Sequence, residues 1–84
     1  MKKIFIILNE TSGESNWTTK FVREIEADKN KEEFANELAR EQYSNFDEEL
    51  KGGVYLFNGG CNMVEVLKVE EITNEEFNVL KKFI

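Results

Sequence analysis

The sequence predicts an α+β protein of order ββαββα, a four-stranded, mainly antiparallel sheet with two helices packed on one face. Three observations point there. An apolar run at residues 4–8 and an alternating stretch from Trp17 read as strands. Two capped amphipathic segments, each carrying an acid pair followed by Phe, read as helices. The chain has 84 residues, of which 40% are hydrophobic and 12% aromatic, enough for one thin core and not for two.

Each element has its own local cause. Ile4, Phe5, Ile6, Ile7 and Leu8 are apolar on both faces, as a central strand requires. Residues 9–16 are dense in turn formers and read as a loop. Trp17, Phe21 and Ile25 then share one face with Thr19 and Arg23, while Thr18, Lys20, Glu24 and Glu26 mostly fill the other. That period of two makes a second strand and a hairpin with the first. Asn30 caps a helix, with Glu33 placed to close a capping-box-like pair. Phe34, Ala35, Leu38, Ala39, Tyr43 and Phe46 recur at helical spacing, a stripe of about four turns.

Gly52-Gly53 ends the connection that follows. Val54 to Phe57 is the third strand, Asn58-Gly59-Gly60 a turn, and residues 63–69 the fourth strand. Thr73 and Glu76 form a capping box, and Ile72 and Phe77 occupy the positions of a hydrophobic staple. Phe77, Leu80 and Ile84 give the second helix its buried stripe, while Lys81 and Lys82 suit its C-terminal end. The segments ending in Phe34 and Phe77 match at an offset of 43 residues. A duplicated ββα unit, 1–46 and 54–84, is one account of that match. The account favoured here is that any capped helix after a hairpin produces it.

Composition removes several functional classes. There is no His, hence no ordinary neutral-pH base and none of the commonest metal ligand. The single Cys, Cys61, allows neither an internal disulfide nor a cysteine zinc site, and its sequence neighbours carry no positive charge to activate the thiol. Asp28, Asn30 and Glu32 open like a calcium loop, but Glu33 and Ala39 stand where that loop needs Gly and a bidentate acid. The Gly52-Gly53 and Gly59-Gly60 pairs belong to no phosphate-binding pattern and read as turns. The acid pairs lie in first helical turns or polar connections, where solvation is expected rather than the burial that acid–base catalysis needs. No enzyme, cofactor or metal is expected.

Mean hydropathy is −0.51, and no apolar run approaches membrane length. Met1-Lys2-Lys3 and the apolar run resemble the start of a secretory signal. The run stops at Asn9-Glu10 without a small-residue cleavage site, so the strand reading stands and the cytoplasm is the expected compartment. Lys, Asn, Ile and Phe greatly outnumber Gly, Ala, Arg and Pro, a codon bias compatible with a bacterial or phage gene.

Charge and the sheet give two candidate surfaces. The chain carries −6, from 17 acidic and 11 basic residues. Residues 24–49 hold ten of those acids against Lys29, Lys31 and Arg40, a local charge of −7. Glu33, Glu37 and Glu41 form one row along the first helix, and with Asp47, Glu48 and Glu49 they make a candidate acidic face for a basic protein partner. With both helices on one side of the sheet, Phe5 and Ile7, or Tyr55 and Phe57, would show on the other as a candidate interface. The leading expectation is a non-enzymatic protein that works by protein–protein contact and self-associates as a homo-oligomer. The alternative is a phage or mobile-element acidic inhibitor, a nucleic-acid mimic that blocks a basic DNA-handling or host-defence protein. Direct nucleic-acid binding is not expected, because no basic patch with interleaved aromatics exists.

Overall fold

The apolar run at the start of the chain becomes an inner strand, longer than its hydrophobic part. A computed structural model describes residues 1–50 and 52–84. It holds strands β1 (Lys2–Ser12), β2 (Ser15–Ile25), β3 (Phe46–Leu50), β4 (Val54–Phe57) and β5 (Asn62–Ile72), with helices α1 (Lys31–Arg40) and α2 (Asn74–Leu80). The strands form one five-stranded antiparallel sheet in the order β2-β1-β5-β4-β3. The architecture is α+β, with one strand more than the sequence pattern predicts.

Strand alternation sorts β1 cleanly. Ile4, Ile6 and Leu8 are fully buried beneath α1, while Phe5 and Ile7 on the other face are half-buried. Ala35 and Ala39, four apart on α1, are also fully buried, because small side chains let the helix backbone approach the sheet. Ile25, Tyr55, Phe57 and Val64 complete the same cluster from β2, β4 and β5. Each fully buried Ile, Leu or Phe contributes about 1.5–3 kcal/mol through removal from water. Among the described residues this cluster takes every buried apolar side chain but Val22, which pairs with Phe5 on the other face.

The expected loop after residue 8 is instead a continuation of the ladder. β1 and β2 stay in register from Lys2↔Ile25 to Ser12↔Ser15. Gly13 closes the hairpin with φ of 60°, the left-handed geometry that a two-residue turn with Gly first requires. Polar residues sustain the pairing where apolar ones run out: the Asn16 side-chain amide donates to the Glu10 carbonyl at 3.2 Å and to the Thr11 hydroxyl at 2.8 Å.

α1 is shorter than its apolar stripe suggests. It starts as expected, with the Asn30 side chain accepting from the Glu33 N–H at 2.9 Å, but Glu41 already caps its end. Tyr43 and Phe46 therefore leave the helix. Tyr43 packs on Phe57 with ring centroids 5.3 Å apart, and Phe46 opens β3 against Phe57 at 5.8 Å. β3 is the fifth strand, and it falls on Asp47-Glu48-Glu49, which the pattern reads as a polar connection.

The two helices do not share a face. α1 covers Ile4, Ile6 and Leu8, whereas α2 meets the sheet through Lys3, whose ammonium lies 5.5 Å from the Phe77 ring centroid. Lys3 also bonds Glu24, its cross-strand neighbour, at 3.0 Å, which fixes it on the face opposite Ile4. The cause is local. Ile72 pairs with Lys3 and so shares its face, and the capped helix starts two residues later and stays on that side.

Candidate functional site

The six acidic candidates are all exposed, and the fold separates them. Glu33, Glu37 and Glu49 meet around a shallow groove of about 230 Å³ between α1 and β3–β4, together with Asn36, Arg40 and the edge of Tyr55. Glu37 holds Lys29 at 2.8 Å, and that hydrogen bond raises the Lys29 pKa above its ordinary value. Burial first, and the nearby Glu49 charge second, push the Tyr55 phenol up as well. Glu41 lies at the end of α1 as its C-cap. Glu48 faces Leu56, so it lies on the side of the sheet away from Glu49 and the groove.

Asp47 has a different task. Its carboxylate accepts hydrogen bonds from the backbone N–H groups of both Gly59 and Gly60. Asn58, Gly59 and Gly60 all have positive φ, and the left-handed turn they form presents two successive N–H groups to this one carboxylate. Around it runs a chain of side-chain amides: Asn45 donates to Asn58 at 2.8 Å, Asn58 to Asn62 at 2.7 Å, and Asn62 to the Ser12 hydroxyl at 2.9 Å. Cys61 follows the turn and is exposed.

The apolar candidates divide just as sharply. Tyr55 and Phe57, expected on an open sheet face, are buried under α1 instead, because β4 alternates in phase with Val64 and the core side of β5. Phe5 and Ile7 keep their place on the opposite face. There the register sets them among Val22, Lys20, Lys68 and Glu70, while Leu56 and Met63 face each other farther across the sheet. α2 meets this face at its Lys3 end, and Val22, the cross-strand partner of Phe5, is 9% exposed.

The ladder between β1 and β5 slips at this point. Ile7 pairs with Lys68 and Leu8 with Val66, so Leu67 is an extra residue, 52% exposed. Alternation alone places a strand residue on a face and carries no mark of a bulge, so the pattern does not single out Leu67. Glu10 lies beyond the apolar run, where the turn-forming residues predict a loop. Glu10 is 6% exposed and accepts a hydrogen bond from the Thr19 hydroxyl.

Among the described residues no three acidic or cysteine side chains converge as a metal site requires, and no helix is long and apolar enough to cross a membrane. No protein-family model, no curated protein and no solved structure matches this chain.

Proposed function

We propose that this is a non-enzymatic protein of the cytoplasm that works by binding another protein through the sheet face opposite α1. The observation that supports the reading is the state of Phe5 and Ile7. They sit on an inner strand, half-buried, on the face that α2 meets at its Lys3 end, and the exposed Leu67 marks the bulge in the neighbouring strand. Large apolar side chains grouped on an open sheet face are a common form of protein interface. The acidic residues support mimicry of a nucleic acid less well. Asp47 is spent on a turn, Glu37 on Lys29, and Glu48 lies across the sheet from the groove.

Affinity capture from lysates of cells that express the protein separates the two mechanisms. Contact through the sheet face predicts a bound protein that survives raised salt, is lost with Leu67→Glu, and is retained with Glu33, Glu37 and Glu49 all changed to Gln. The reverse pattern, release by salt and by the triple Gln variant with Leu67→Glu harmless, overturns this reading in favour of the acidic inhibitor.

A further inference from the structure

The sheet ends in two edges, β2 and β3, and they are protected very differently. An unpaired edge strand presents a row of N–H and C=O groups on which another strand can form. β3 is five residues long and carries Asp47, Glu48 and Glu49, so a second copy of β3 is repelled. β2 runs for 11 residues with no Gly, no Pro and no break in its register with β1.

The hairpin decides which β2 groups point outward. Its two-residue turn closes on Ser12 and Ser15, a pair that exchanges hydrogen bonds, and such pairs alternate with open ones down the ladder. Ile7↔Lys20, Phe5↔Val22 and Lys3↔Glu24 are then open pairs, so Lys20, Val22 and Glu24 turn their backbone N–H and C=O to the edge. The Arg23 guanidinium donates to the Val22 carbonyl at 2.9 Å, so β1 leaves this carbonyl to the edge and Arg23 covers it until a partner strand displaces the guanidinium.

We infer that β2 pairs antiparallel with β2 of a second copy, about a two-fold axis at Val22, joining the two sheets into one. In this register Lys20 of each copy stands opposite Glu24 of the other, on the same face of the joined sheet. Phe21 stands opposite Arg23, a pairing already made within the chain, where the guanidinium carbon lies 5.0 Å from the ring centroid. Other registers lose this match. An axis at Lys20 or at Arg23 sets that cation against itself, an axis at Phe21 leaves Lys20 facing Val22, and an axis between residues sets outward groups against inward ones. In the Val22 register the outward pairs exchange about six backbone hydrogen bonds across the seam, two of them replacing the bond that Arg23 makes to the Val22 carbonyl in each copy. The seam runs along an edge and leaves the Phe5–Ile7 face of both copies free, so it stands or falls separately from the sheet-face reading.

Sedimentation equilibrium of the full chain over a wide concentration range tests the seam. A monomer–dimer equilibrium is expected, with backbone exchange at Lys20, Val22 and Glu24 slowing as concentration rises. Lys20→Glu sets like charges at both symmetric positions and weakens dimerisation roughly tenfold or more. Adding Glu24→Lys to it restores the dimer. Val22→Pro removes an N–H that β1 does not need, so it abolishes the dimer while the circular dichroism of the folded chain persists. A wild-type chain that stays monomeric throughout, or a dimer indifferent to Lys20→Glu, overturns the inference. A dimer that resists Lys20→Glu but is lost with Leu67→Lys also overturns it, and moves self-association to the sheet face with the contact reading intact.

Discussion

At the scale of single residues, the same side-chain type serves opposite ends. Asp47 and Glu49 are two positions apart on one short strand; the first satisfies the turn at Gly59 and Gly60, and the second stays in the groove beside Tyr55. Replacing Asp47 by Ala leaves two N–H groups to water and frees a turn held at positive φ, so a loss of about 1 kcal/mol is expected in urea unfolding. Asp47→Asn, which keeps an acceptor oxygen, recovers most of it. Tyr55 gives a prediction in pH. Its folded-state pKa lies above the ordinary value of 10.0, through burial and then through the Glu49 charge. A raised pKa means the stabilisation is complete below the unfolded value and is lost as pH rises through the folded one. A phenolate absorbance titration is expected to show Tyr55 ionising late, at the same alkaline pH where stability falls, and Glu49→Gln is expected to bring that midpoint down. No periodicity reveals such roles, because they depend on which backbone groups a carboxylate meets after folding.

At the scale of elements, starts were legible in the sequence and ends were not. Asn30 and Thr73 mark the first turns of α1 and α2, since a capping side chain and its partner lie three residues apart in any context. The end of α1 is a competition. Tyr43 and Phe46 continue the helical spacing, yet stacking on Phe57 and pairing in β3 satisfy them better, and that partner is remote in sequence. Strand β3 was hidden for the same reason. Its acids disfavour a strand in isolation, and only the edge of β4 supplies the hydrogen bonds that make it one. α2 tests how far a cap can carry a helix. It has no fully buried residue, and its reciprocal bonds at Thr73 and Glu76 measure 3.1 and 3.0 Å. Thr73→Ala is expected to cost about 1 kcal/mol locally, seen as faster amide exchange through residues 76–80, while global unfolding shifts little. If exchange in α2 stays unchanged, packing on Lys3 rather than the cap holds the helix.

At the scale of the whole molecule, the topology joins the two halves of the chain at the centre of the sheet. β1 from the first half pairs with β5 from the second, and the core takes Ile4, Ile6 and Leu8 from one and Tyr55, Phe57 and Val64 from the other. The matching helix starts hinted at a repeated ββα unit, but the halves occupy different places. The first strand of the opening hairpin, β1, pairs with β5 at the centre of the sheet, whereas β4, which opens the closing hairpin, lies between β5 and the edge strand β3, and the helices lie on opposite faces. Neither half can bury its own apolar strand. β1 without β5 exposes a long inner edge, and β5 without β1 loses the partners of Val64, Val66 and Val69. Peptides spanning 1–45 and 52–84 are therefore expected to be largely unstructured alone by circular dichroism, each below the size at which a core suffices without staples. Mixed at high concentration they are expected to regain strand signal and cooperative melting, because the missing surface of each is the other. Cooperative unfolding of the 1–45 peptide by itself is the contrary result: it would mean that α1 packed on the first hairpin is a sufficient core, and that β5 joins a structure already made.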